Sequence, residues 1–258
     1  MKKAYKKIAV EAALKSGEFI KSSLGRIKNI SYKGVRDIVT DVDKKAEKII
    51  INKIFSAFPD HSVLSEEMGA KSRDSSFKWL IDPLDGTTNF AHAFPFFSVS
   101  IALEEKGKVI LGVVYEPVRN ELFYAEKGRG TYLNNERISV SKTNKLIDAF
   151  LATGFSYRLQ EAKHNNVNYF NRFLMRSMAI RRAGSAALDF CYVACGRFDG
   201  YWELDLNPWD CAAGALIVKE AGGMVTKLDG SKYSHYDKEV LATNGVIHKK
   251  MVRELISS

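Results

Sequence analysis

An apolar strand that ends in paired acids and a forced change of direction leaves a chain few folds to adopt, and residues 77–90 read in that way. Phe77–Ile81 carries the β-favouring run, Asp82 ends it, and Pro83 and Gly86 interrupt regular pairing just beyond. Side chains alternate across a sheet, so Asp82 and Asp85 in an uninterrupted strand would face opposite sides. A turn through Pro83–Gly86 lets the two carboxylates converge instead. Pro83 also removes a donor, which leaves the main-chain carbonyl of Leu84 to face the same point. Two carboxylates and a carbonyl are hard oxygen ligands of the kind Mg²⁺ prefers. Asp and Gly are ordinary turn residues as well, so the reading depends on what the other acids do.

Glu66 and Glu67 follow a short strand at Ser62–Leu64, sixteen residues before Asp82. Asp43 falls in the first turn of one expected helix, and Asp210 opens another within Asn207-Pro208-Trp209-Asp210-Cys211-Ala212-Ala213-Gly214. An acid at either place interacts favourably with the helix dipole, by about 0.3–1 kcal/mol, without any further role. Yet strand ends and helix starts are where clefts of α/β folds are built. Carboxylates 4 Å apart repel by about 4 kcal/mol at an effective dielectric of 20. A converging group of four or five therefore demands cations, and two or more Mg²⁺ ions would also suit a phosphate dianion.

Around these acids the pattern changes once. Ile8, Ala9, Ala12, Phe19 and Ile20 repeat at helical spacing, as do Val42, Ala46, Ile49, Ile50, Ile54, Ala57 and Phe58. Thr40 or Asp41 is placed to cap the second helix, and Pro59-Asp60 to end it. Strands are expected at Phe96–Leu103 and Val109–Tyr115, turning at Lys106-Gly107, then at Glu121–Ala125 and Thr131–Leu133. From about Leu146 strands and helices alternate. The strands are Ala149–Thr153, Ala179–Arg181, Gly200–Glu203, Met224–Lys227 and Val240–Ala242. The helices are Glu161–Met175, Ser185–Cys195, Pro208–Ala221 and Val246–Ile256, with Gly222-Gly223 as a stop. The expectation is one domain over 1–258, an N-terminal α+β half to about 145 joined tightly to a C-terminal α/β half, with a cleft between them.

Composition narrows the class further. Hydrophobic residues make up 46% of the 258, ample for a core, and no run approaches the roughly 18 apolar residues of a spanning helix. The basic start is followed by an apolar run that Glu11 breaks almost at once, so a cytoplasmic protein with no membrane association is expected. Cys191, Cys195 and Cys211 form no metal-binding spacing and read as free, buried thiols. The net charge is +9, and residues 1–36 hold ten Lys/Arg against two Glu. A solvated helix face is the simpler reading of that excess. Docking on RNA or another nucleic acid, a transcription complex or an acidic partner is the less favoured one, since no nucleic-acid motif accompanies it.

Taken together these residues resemble the inositol monophosphatase family. Trp79–Phe90 matches its Trp-x-Ile-Asp-Pro-[Ile/Leu]-Asp-Gly-Thr-x-Asn-Phe signature, and Trp209–Gly214 its Trp-Asp-x-Ala-Ala-Gly signature. Glu66-Glu67, the stretch Asp37–Asp43 and Gly184-Ser185-Ala186-Ala187 fall in the family's order. The resemblance implies a sugar-phosphatase-like layered sandwich of alternating helix and sheet layers (αβαβα). It also implies two to three Mg²⁺ ions, held by Glu66, Asp82, the Leu84 carbonyl, Asp85 and Asp210, with Glu67 beside the third. Asp43 and Thr87 would orient and help deprotonate the attacking water. Gly86 and Thr87 amides would meet the phosphate. Gly184, Ser185, Ala186 and Glu203, seven residues before Asp210, would meet the alcohol of a phosphorylated sugar or polyol. A homodimer and inhibition by lithium are further implications. Lys33 lies only loosely at the place of a family lysine, the region Thr153–Tyr157 does not align, and Arg181 and Arg182 support either the pocket or a subunit contact.

Family members act on inositol phosphates, fructose 1,6-bisphosphate, histidinol phosphate, NADP or 3′-phosphoadenosine phosphates. Glu203 and Thr88-Asn89 favour inositol monophosphate. Ile38–Asp43 also resembles the Asp-x-Asp motif of haloacid-dehalogenase-type phosphatases. Lys45 stands where that motif expects Thr or Val, and the reading would leave Asp82, Asp85 and Asp210 without a role.

Overall fold

Alternation along the central strands sorts the side chains into separate cores. In Ser98–Glu105, Val99, Ile101 and Leu103 enter one apolar cluster while Ala102 enters another. The computed structural model describes residues 2–26, 30–32, 38–156 and 166–257. Its helices are α1 Lys2–Ser23, α2 Asp41–Ala57, α3 Thr87–Ala91, α4 Val167–Leu174, α5 Ala186–Ala194, α6 Pro208–Glu220 and α7 His248–Ile256. The first ten strands are β1 Ile30–Tyr32, β2 Ile38–Thr40, β3 Ser62–Ser65, β4 Gly69–Lys71, β5 Phe77–Asp85, β6 Ser98–Glu105, β7 Lys108–Glu116, β8 Glu121–Glu126, β9 Thr131–Leu133 and β10 Glu136–Ile138. The remaining strands are β11 Phe150–Thr153, β12 Ala179–Arg181, β13 Gly200–Leu204, β14 Met224–Thr226 and β15 Glu239–Thr243.

Strands β3 to β10 form an eight-stranded sheet in the order β10-β9-β8-β7-β6-β5-β3-β4, antiparallel except between β3 and β5. A five-stranded sheet runs β12-β11-β13-β15-β14, parallel in its first three strands. Helices α1 and α2 cover one face of the large sheet through Ala9, Ala13, Ile50 and Ile54 against Trp79, Ile81 and Val99. Helices α5 and α6 fill the space between the two sheets. The outer face of the small sheet is closed by Phe173 of α4 and Met251 and Leu255 of α7, against Leu151, Trp202 and Leu241. This is the alternating αβαβα sandwich expected from the sequence. Close approach of the layers needs Gly112 on β7, where an added Cβ would stand 2.7 Å from the Ala213 carbonyl of α6.

Three expectations change in detail. Strand β5 does not turn at Ile81 but continues to Asp85, with its register against β6 shifting between Asp82 and Asp85. The expected helix from Glu161 is seen as Val167–Leu174, and positions 161–165 lie outside the described residues. The three-residue strands β1, β2, β4 and β10, and the short α3, had no periodic signal to reveal them. The three cysteines are free, with Cys195 only half-buried.

Helix α7 supplies a pH-sensitive joint to the small sheet. The buried His248 ring lies between Thr243 of β15 (Nδ1···Oγ1 2.9 Å) and Thr226 of β14 (Nε2···Oγ1 3.0 Å). Burial pushes its pKa down to about 4, and its place at a helix N-terminus further opposes a positive charge. An unfolded chain takes up that proton near pH 6.5, whereas the folded chain resists it until about 4. Stability held above pH 6.5 is therefore lost as pH falls through this window. Urea unfolding at pH 7 and 4.5 should show about 2 kcal/mol more acid loss in the wild type than in His248→Gln. Equal losses would remove His248 from the account.

Candidate active site

Pro83 cannot donate to the ladder, and β5 accommodates it with a bulge. Asp82 pairs with Ser100 and Asp85 with Ser98, so three residues on β5 span two on β6. Ser98 and Ser100 share a face of β6, and the extra residue thus brings Asp82 and Asp85 to one side of the sheet. That side faces the helices of the middle layer, where the Ser100 hydroxyl donates to the Trp209 carbonyl (3.2 Å).

Helix N-termini fix most of the acids. Asp43 is the N3 residue of a capping box on α2, its Oδ2 accepting from the Thr40 amide (2.8 Å) and the Thr40 hydroxyl (2.5 Å). Asp210 holds the same position on α6, accepting from the Asn207 amide (2.7 Å). Asp85 serves α5 from outside. It accepts from the Ser185 hydroxyl (2.5 Å) and from the Ala186 and Ala187 amides (3.2 and 2.8 Å). Gly86 caps α3 at a φ of 96°, and a Cβ there would press on the Phe96 and Gly184 carbonyls. Directly after it, Thr87 reaches across to α2, its hydroxyl 2.9 Å from Asp43 Oδ1 and 3.0 Å from the Leu84 carbonyl. Asn89 ties the segment to the opposite wall by donating to Ala183 (2.8 Å) and Phe96 (2.7 Å) carbonyls.

The glutamate pair enters from β3. The Glu66 amide donates to the Ile81 carbonyl (3.2 Å), which seats the loop beside β5. Glu47, buried on α2, accepts from the Glu67 and Met68 amides at 3.1 Å each. Sequence reasoning missed this clamp, since an acid beside the apolar stripe of a helix looks like its solvated face.

The charges are mutually felt. Loss of solvation, then Glu66, Asp85 and Asp210, push the Asp82 carboxyl well above the usual range. Asp210 is raised in the same sense by loss of solvation and by Glu66, Asp85 and Glu203, against the Asn207 hydrogen bond. Burial lifts Asp85 to about 6 despite its four donors at the head of α5 and at Ser98. Among the described residues no three His, Cys, Asp or Glu side chains already form a closed ligand group. Asp82, Asp85 and Asp210 instead form a neighbourhood in which each accepts from its own donors, while the charges of Glu66 and Asp85 oppose those of Asp82 and Asp210. All its ligands are hard oxygens, which suits Mg²⁺, an ion that takes one or two carboxylates and keeps several waters.

Where the resemblance expects the alcohol, Glu203 ends up beside Tyr201, whose hydroxyl donates to its Oε2 (2.5 Å), and burial lifts its pKa to about 7. Arg182 opposes that rise, whereas Arg181 lies over the Phe150 ring. Asp189 and Gly154 also belong to this corner and were not foreseen. Lys33, Asp37 and Tyr157 lie outside the described residues.

Five alternating layers enclosing an acid cluster ringed by helix N-termini define a sandwich of the sugar-phosphatase type. The inositol monophosphatase family model matches residues 1–258. An inositol-1-monophosphatase of Synechocystis sp. is 46% identical over 253 residues, covering 97% of this chain and 88% of the relative. The Nus factor SuhB of Haemophilus influenzae is 44% identical over 252 residues, covering 96% and 94%. A solved inositol monophosphatase from Anabaena (Nostoc) sp. superimposes with a TM-score of 0.90 at 41% identity, over 98% of this chain and 96% of that one. The chain belongs to the inositol monophosphatase family and is a phosphatase. Among the described residues no helix is long and apolar enough to cross a membrane.

Proposed function

We propose that the chain hydrolyses small phosphate monoesters with Mg²⁺, myo-inositol monophosphate first among them, as one domain working as a cytoplasmic homodimer. The observation that carries the reading is the bulge in β5, which places Asp82 and Asp85 on one face within reach of the charges of Glu66 and Asp210. Glu66, Asp82, the Leu84 carbonyl, Asp85 and Asp210 would hold two to three ions, with Glu67 beside them. Bound Mg²⁺ would lower the pKa of water, neutralise the phosphate and stabilise the leaving oxygen.

The protein's own groups do the remaining work. Asp43 receives a proton through the Thr87 hydroxyl, which points at it from the head of α3. The Gly86 and Thr87 amides meet the phosphate at that helix start. Gly184, Ser185 and Ala186 wall the alcohol pocket, and Ser185 and Ala186 hold Asp85 still at the same time. Glu203 accepts from the hydroxyls of the leaving group.

Phosphate release from myo-inositol 1-phosphate, fructose 1,6-bisphosphate, NADP and histidinol phosphate, each with Mg²⁺ or EDTA, tests this. Metal-dependent turnover led by the inositol ester is expected. Silence on every ester would remove catalysis from the proposal. The SuhB relatives and the basic first segment favour a second role in binding RNA or a transcription complex. Lys6 is already paired with Glu126 (3.4 Å) and Lys7 lies 3.9 Å from Glu11, which weakens the case for that face.

A further inference from the structure

Parallel pairing of β11 with β13 sets Thr153 beside Trp202, and the next residues along, Gly154 and Glu203, face one another at the strand ends. A Cβ built on Gly154 would clash directly with Oε1, Cδ and Oε2 of the Glu203 carboxylate. The glycine is not there for its backbone, because its φ lies outside the left-handed region. Space for the carboxylate is what the missing side chain provides.

The segment is also held firmly. Buried Asn166 donates to the Gly154 carbonyl (2.6 Å) and to the Thr153 hydroxyl (2.5 Å), and accepts from the Trp202 indole (2.5 Å). The Thr153 hydroxyl donates in turn to the Trp202 carbonyl (2.7 Å). Gly154 is thus pinned to the strand that carries Glu203. Tyr201 fixes one carboxylate oxygen from the same strand. Near them Asp189 is 1% exposed, its Oδ1 has no hydrogen-bond partner, and burial together with the Glu203 charge pushes its carboxyl well above the usual range. Glu203 is therefore flanked by a bare backbone, a tyrosine and a buried acid.

We propose that Gly154 is a specificity-determining residue: its bare backbone, bracketed by Asn166, sets where the Glu203 carboxylate stands and so which polyhydroxylated leaving groups the site accepts. The inference rests on the reading of Glu203 as the acceptor for those hydroxyls. A larger residue at 154 would displace the carboxylate from the pocket while leaving the metal-binding acids of β5 and α6 untouched.

Steady-state kinetics on myo-inositol 1-phosphate and on p-nitrophenyl phosphate, which has no alcohol hydroxyls for Glu203, test it. Gly154→Ala should raise KM for the inositol ester about tenfold with kcat within about threefold, and should change the aryl ester far less. Glu203→Ala should show the same pattern. In the Glu203→Ala protein, adding Gly154→Ala should bring no further loss, because the methyl group then meets empty space. If Gly154→Ala alone fails to fold, the double variant should fold for the same reason. Glu203→Ala losing both esters equally would sink the reading of Glu203. Glu203→Ala discriminating while a folded Gly154→Ala is silent would sink the Gly154 inference alone, as would a double variant that adds its losses or does not fold.

Discussion

Asp82→Asn is expected to lower kcat/KM by about a thousandfold or more and, in the same protein, to raise the melting temperature measured in EDTA. Asp82 is 3% exposed and faces Glu66, Asp85 and Asp210, whose charges all oppose its own. In the proposed reaction it is shared between ions, and losing several kcal/mol of transition-state stabilisation corresponds to a factor of that size. Without metal the same carboxylate is a liability. The amide keeps its shape and an acceptor for the Leu84 amide, 3.0 Å from Oδ1, while removing the repulsion. Relief of about 1 kcal/mol would raise Tm by roughly 2–4 °C in a chain of this length. Opposite signs in activity and stability are what distinguish a functional acid from a structural one. A variant that lost both together would place Asp82 among the supports of the fold.

Asp43→Asn is expected to reduce kcat about a hundredfold to a thousandfold and to destabilise the protein by about 1–2 kcal/mol. The two losses arise at different oxygens. Oδ2 closes the capping box on α2, and an amide nitrogen there would confront the Thr40 amide that it now accepts from. Oδ1 faces the Thr87 hydroxyl, which has one proton to offer to Asp43 or to the Leu84 carbonyl. Which acceptor takes it decides whether a proton accepted from water can be passed on to Asp43. Thr87→Ser keeps that hydroxyl and should retain activity within a few fold. Thr87→Val should fall about as far in kcat as Asp43→Asn while leaving the α2 cap, and most of the stability, intact. Comparable kcat for Thr87→Val and wild type would break the proposed path between the attacking water and Asp43.

The acids were legible in the sequence because each marks a place where regular structure must stop. What holds them was much less so. Pro83 and Gly86 read as a turn, whereas β5 runs through Pro83 to Asp85 and turns the extra residue into a bulge, since β6 stays paired on both sides of it. Convergence of Asp82 and Asp85 was anticipated, and its cause was different. At Asp210 and Asp43 the helix-cap reading holds and leaves room for the proposed roles, because an acid in a capping box is already positioned and desolvated for other work.

Long-range partners leave no local trace. Glu47 grips the Glu67 loop from twenty residues away in sequence, and Asn166 bridges Gly154 and Trp202 across two strands. Ser185 and Ala186, read from the resemblance as a pocket wall, also donate to Asp85 a hundred or so residues earlier. The two halves were readable from the change of pattern near Leu146, since period and turn signals are local, whereas the αβαβα stacking came from the family resemblance. The three-residue strands β1, β2, β4 and β10 were not readable, because they are too short to show a period.

The measurement that bears most directly on the central claim is phosphate release from myo-inositol 1-phosphate across a Mg²⁺ titration, run in parallel on wild type and Asp85→Asn. The account predicts saturable, Mg²⁺-dependent turnover in the wild type, none in EDTA, and near-complete loss in the folded variant. Turnover that is indifferent to Mg²⁺, or that survives in Asp85→Asn, would contradict it.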